Sequence, residues 1–119
     1  MPLSWKDLEY AVLTGDTQRI DRRSPSVLAA YQRAPSLSRT EVEEEILQGE
    51  DFVLLKNKYP YDVQAYHYVL WCRYPITKAA AYLRVCQLIR GKFLIFENPP
   101  SHRSVPHTQH YHVFIPKIS

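Results

Sequence analysis

Over the first fifty positions the apolar residues recur at helical spacing, and from Asp51 onward they gather into short runs of strand character. Trp5, Leu8, Val12 and Leu13 fall on one stripe behind a Ser4 cap, with Asp7 three residues on and Gly15 as a stop, so the spacing predicts a helix over 5–14. Ser24-Pro25 opens a second helix, with Pro at the first helical position and Val27, Leu28 and Tyr31 on one face; Pro35 ends it. A third helix, capped by Ser38 or Thr40, runs through Gln48 to Gly49, with Glu41, Glu43, Glu44 and Glu45 near its positive N-terminal end. Strands are predicted over 51–57 and 67–73, separated by a turn or wide loop at Asn57-Lys58-Tyr59-Pro60-Tyr61. Thr77 caps a helix over 78–90 whose stripe reads Ala80, Leu83, Cys86 (or Val85) and Leu88, stopped by Gly91. Two more strands follow, 92–96 and 109–115, joined by a loop holding Pro99, Pro100 and Pro106. This order predicts an α+β domain with a mostly antiparallel sheet, one helix between two strand pairs and extra N-terminal helices. At 119 residues it is one domain, a helical section over 1–50 and an α+β core over 51–119.

Charge narrows the classes of partner. Fifteen Lys and Arg are scattered among twelve acids, for a formal charge of +3, with no basic run to track a phosphate backbone. General nucleic-acid binding is not expected, whereas an anionic small ligand is compatible. No apolar run reaches the ~18 residues of a membrane span, and the N-terminus lacks the apolar core of a signal peptide. Cys72 and Cys86 have neither CxxC nor zinc-finger spacing and read as two buried, reduced thiols. A soluble, cytoplasmic protein without a membrane partner is expected.

The chemistry gathers near the C-terminus. His107, His110 and His112 lie within six residues, and on a strand His110 and His112 project to one face while Tyr111 and Val113 point the other way. Paired imidazoles can accept a phosphoryl group, exchange protons near neutral pH or hold a metal. With His67 or His107 they would supply three nitrogen ligands, so a divalent metal is compatible although no organic cofactor is called for. The plainer alternative is a pair of partly exposed imidazoles on an edge strand, hydrogen-bonded to their neighbours.

Several separated motifs occur in an order that resembles a known family. Ser4-Trp5-Lys6-Asp7-Leu8, Arg23-Ser24-Pro25, the segment LLKNKYPYDV, HYVLW at 67–71 and NPPSHRSVPHTQHYHVF together resemble fungal proteins named for N-acetylglucosamine-induced protein 1. That name records induction by a sugar and implies no reaction. Residues 52–115 are also similar, more remotely, to the histidine-triad (HIT-like) superfamily of nucleotide hydrolases and transferases. The features that carry this likeness are Asn57 to Pro60 before a strand opening at His67, then Asn98, Ser104-Val105 and the alternating His110 and His112. The chain departs from the triad pattern at Thr108, where a third alternating histidine would stand, and His107 is one residue out of phase.

The superfamily resemblance implies a HIT-like fold, a homodimer and a phosphorylated ligand such as a nucleotide or nucleotide sugar. It makes His110 the nucleophile, attacking phosphorus in line to form a nucleotidyl-imidazole that water or another acceptor resolves. His112 would bond a phosphate oxygen, as the second catalytic histidine. Ser104 would stabilise developing charge, Asn98 would hold another oxygen, and Asn57 would bond a ribose hydroxyl. Arg103 and His102 would add positive charge, and His67 and His107 complete the ligand-binding set. Two other classes fit the same residues: a non-catalytic sensing or interaction module that keeps a phosphate pocket, and a His-ligated metal site.

Overall fold

The computed structural model describes residues 2–35, 37–97 and 109–117. Helix α1 (Trp5–Thr14) begins where predicted because the Ser4 hydroxyl accepts the Asp7 N–H at 3.2 Å, and it stops at Gly15, whose φ of +71° suits glycine. A single turn, α2 (Thr17–Ile20), follows, capped by Asp16 and burying Ile20. Four residues are too few to show a period, so this turn has no helical signature in the sequence. Helix α3 (Pro25–Arg33) buries no residue. Helix α4 (Arg39–Glu41) starts in a capping box that selects Ser38 over Thr40, since Ser38 and Glu41 each accept the other's backbone N–H. It widens at once into a π-helical segment, Val42–Leu47, which turns Val42 and Leu47 into the core.

The strands are β1 (Phe52–Lys56), β2 (Ala65–Cys72), β3 (Leu94–Phe96) and β4 (His110–Pro116), with helix α5 (Lys78–Leu88) between β2 and β3 in sequence. They form one four-stranded sheet in the order β1-β2-β4-β3, every neighbouring pair antiparallel. The fold is therefore α+β, as expected. The β2–β4 register sets Trp71 opposite His110, Val69 opposite His112 and His67 opposite Phe114. Side chains opposite one another share a face, so the three histidines lie on the same side of the sheet.

Each face carries a helical layer. Beneath one, Leu70, Cys72, Ile95, Tyr111 and Val113 pack on Ala81 and Val85 of α5. Over the other, the N-terminal helices form two apolar clusters. Leu8, Ala11 and Ile20 meet Phe96 and Phe114, while Val42 and Leu47 meet Val53 and Trp71. The N-terminal section is thus the second layer of the core, on the histidine face. Among the described residues no helix is long and apolar enough to cross a membrane.

Helix α5 corrects two expectations. Its buried face is Ala81 and Val85, whereas Ala80, Cys86, Leu83 and Leu88 are exposed, the two leucines at 64% and 55%. Only one of the two thiols is buried, because Cys86 belongs to that outer face. Burial, reinforced by Glu97, pushes the Cys72 thiol up to about 12. A thiolate reagent at pH 8 should therefore label Cys86 alone in the native protein and both cysteines after denaturation, read as one adduct and then two by mass spectrometry. Rapid native labelling of Cys72 would contradict this arrangement.

Candidate histidine site

β4 is an inner strand, so His110 and His112 are not edge-strand imidazoles. They are 6% and 4% exposed, and His67, across on β2, is 2% exposed. Burying three imidazoles demands hydrogen-bond partners, and the loop after β1 provides a decisive one. Asn57 Oδ1 accepts the Tyr59 N–H at 2.8 Å, turning the chain back so that the Tyr61 N–H donates to His67 Nδ1 at 3.1 Å.

That bond fixes the protons of two rings. Because His67 Nδ1 accepts, a neutral His67 carries its hydrogen on Nε2 and donates it to His112 Nδ1, 2.7 Å away. His112 then carries its own hydrogen on Nε2, which faces the Tyr61 hydroxyl at 3.5 Å. The side-chain nitrogen of Asn57 lies 3.4 Å from His67 Nε2. With Oδ1 committed to Tyr59, that contact sets donor against donor and is no hydrogen bond.

Protonating either ring would place a new hydrogen against an existing donor, Tyr61 N–H for His67 and His67 Nε2–H for His112. Burial lowers the His67 imidazole to about 3, with the Arg23 guanidinium adding repulsion. His112 is also held well below its ordinary value, by burial first and then by His67, His110 and Arg23. Both rings are neutral at pH 7.

Aromatic packing encloses the group. His67 stacks on Phe114 with centroids 4.7 Å apart, Tyr61 lies 4.6 Å from His67, and Trp71 lies 5.0 Å from His110. The His110 and His112 rings meet edge to face at 5.6 Å. Arg23 reaches the same neighbourhood from the loop before α3, its guanidinium 3.9 Å from the Tyr31 centroid and 4.7 Å from that of Tyr61.

His67, His110 and His112 therefore come together, with Asn57 beside His67. Asn98, Arg103, Ser104 and His107, like His102, lie outside the described residues. Tyr61 and Arg23 were missed: Tyr61 stood in the sequence only within the loop at 57–61 and a family motif, and Arg23 only within a family motif. Among the described residues no three His, Cys, Asp or Glu side chains are grouped to hold a metal. The reason is visible in the pair itself, since His67 Nε2 and His112 Nδ1 bond each other. A cleft of about 160 Å³ beside Arg39, Arg73 and Gln109 and another of about 240 Å³ beside Arg22 and Ser24 open on the surface, and none of the three histidines lines either.

No family model matches the chain, and no curated protein matches it. A solved structure described as "Crystal Structure of HTC1" is similar over 98% of this chain and 86% of that one, with a TM-score of 0.74 and 17% identity. At that identity the likeness is one of fold.

Proposed function

We propose that the chain is a HIT-like protein that binds a phosphorylated small molecule, a nucleotide or nucleotide sugar, at the His110–His112 side of its sheet. The observation that carries this reading is the His67–His112 hydrogen bond, which leaves His112 neutral with its proton on Nε2. So disposed, His112 can donate to a phosphate oxygen but has no lone pair left for attack. The nucleophile's role falls to His110. One of its ring nitrogens would bond to phosphorus as the P–O bond to the leaving group breaks, and water would then cleave the P–N bond to regenerate the imidazole. Asn98, Arg103, Ser104 and His107 belong to the same proposal through the superfamily resemblance, as do a homodimer and a cytoplasmic location. The free thiols Cys72 and Cys86 are in keeping with a reducing compartment.

Burial favours a second reading. With 2–6% exposure, the three histidines also suit a core element that fixes the β2–β4 register in a non-catalytic sensing or interaction module. A thermal-shift panel of nucleotides, nucleotide sugars and sugar phosphates on metal-free protein separates the two. Under the first reading, a ligand at a hundred times its Kd stabilises the native state by about 2.7 kcal/mol. His110→Gln should remove that shift and reduce any turnover by at least about a thousandfold, as expected for loss of a nucleophile. A silent panel would leave the non-catalytic reading, and a ligand shift that survives His110→Gln would overturn the site.

A further inference from the structure

Strand β1 lies at the edge of the sheet, with β2 on one side and no strand on the other among the described residues. Hydrogen bonds at its two ends fix which way its backbone groups point. Asn57 N–H donates to the His67 carbonyl and Arg73 N–H to the Asp51 carbonyl, each at 2.9 Å. Residues bonded across an antiparallel pair alternate along the strand, so Asp51, Val53, Leu55 and Asn57 turn to β2. Phe52, Leu54 and Lys56 therefore direct their N–H and C=O groups outward, where no backbone partner meets them among the described residues.

Proteins blunt such an edge with a proline, a bulge or a charge in mid-strand. β1 has none of these at its centre. Its register with β2 is unbroken from Phe52 to Lys56, Val53-Leu54-Leu55 carries neither proline nor charge, and Leu55 is 43% exposed. The charges stand at the ends and differ in sign, Glu50 and Asp51 before the apolar run and Lys56 and Lys58 after it. Asp51 has Arg73 at 3.5 Å, whereas Glu50, Lys56 and Lys58 form no ion pair among the described residues. A second copy of this strand, laid antiparallel, sets acids against lysines at both ends. Laid parallel, it would set like against like.

We propose that β1 pairs antiparallel with β1 of a second copy of the chain, across a two-fold axis at Leu54, so that the two sheets become one. In that register Leu54 exchanges backbone bonds with Leu54 of the second copy, and Phe52 with its Lys56, which uses every outward group of both strands. Val53 then faces Leu55 of the second copy and covers it, and Glu50 comes beside its Lys56 and Lys58. The association closes at two, because each copy spends its only β1 edge. The surface uses none of His67, His110 and His112, so a monomer would overturn this proposal without bearing on the ligand reading, and a silent ligand panel would leave the dimer standing.

One pair of short strands buries less than a standard interface, so a Kd on the order of tens of micromolar is expected. Sedimentation equilibrium of the full chain from about 5 to 500 µM brackets that value. The mass should rise from 14.0 kDa towards twice that figure. In the same range, amide hydrogen exchange followed by NMR should slow at Phe52, Leu54 and Lys56. Lys58→Glu, at an exposed position, turns two attractions into repulsions and should raise the Kd about tenfold. Adding Glu50→Lys to that variant reverses both charges and should restore the dimer. A mass of 14.0 kDa throughout would overturn the proposal and leave the edge for a strand of another protein. So would a dimer in which those three amides exchange as fast as in dilute solution, or one that Lys58→Glu does not weaken.

Discussion

Lowering the pH from 7 to 5 should destabilise the native protein by up to about 4 kcal/mol, through His67 and His112. Both imidazoles are driven below their ordinary value of 6.5 in the fold, His67 to about 3. Beneath pH 6.5 the unfolded chain takes up protons that the native state refuses, so unfolding becomes easier as pH falls. The contribution is complete above about 6.5 and is lost on the way down towards 3, at about 1.4 kcal/mol per pH unit for each proton. Working between pH 7 and 5 stays above the ordinary carboxylate range and isolates the imidazoles.

The cause is geometric as much as dielectric. Each ring has one lone pair in the plane, and each is already occupied, by Tyr61 N–H for His67 and by His67 Nε2–H for His112. Urea unfolding at constant ionic strength across this range measures the slope. His67→Gln removes one of the two titrating groups and should reduce the slope by about 1.4 kcal/mol per pH unit, at some loss of stability at pH 7. A flat profile in the parent protein, or an unchanged slope in the variant, would mean that the pair is already protonated or already wet.

Where a signal was local, the chain could be read directly. Ser4 and Gly15 bracket α1 because a cap and a left-handed stop are chemical properties of single residues. The alternation His110-Tyr111-His112-Val113 placed its members on the correct faces because a strand's period is 2. What that alternation could not contain was the burial of its polar side. The cover comes from Leu8, Ala11 and Ile20 at one end of the face and Val42 and Leu47 at the other, all remote in sequence. Nor could it pair His112 with His67, which depends on the β2–β4 register, or supply the Tyr61 N–H, which depends on a turn made by Asn57. The His67–Tyr61–His112 group is an outcome of tertiary structure.

Helix α5 failed to declare its face for a different reason: Ala79, Ala80, Ala81, Tyr82, Leu83, Val85, Cys86 and Leu88 surround it with apolar residues, so several stripes fit the same period. The sheet makes the choice. Tyr111, Val113 and Leu70 leave a surface that accepts small and β-branched residues, and Ala81 and Val85, four apart, fill it while the leucines turn to solvent. Val85→Asp should therefore be among the most damaging single changes in the protein, a destabilisation of about 4 kcal/mol or more, because a carboxylate there loses its water without a cation to replace it. Leu83→Asp, only two positions away, should change stability by no more than about 0.5 kcal/mol, as exposed positions do. Urea melts of the two variants decide between the faces. If Leu83→Asp unfolds the protein while Val85→Asp is tolerated, α5 is rotated, and its stripe is the one its larger apolar residues predict. The expected order of effects would instead show that fit to the sheet, and not the size of the apolar side chains, selects which side of an ambiguous helix is buried.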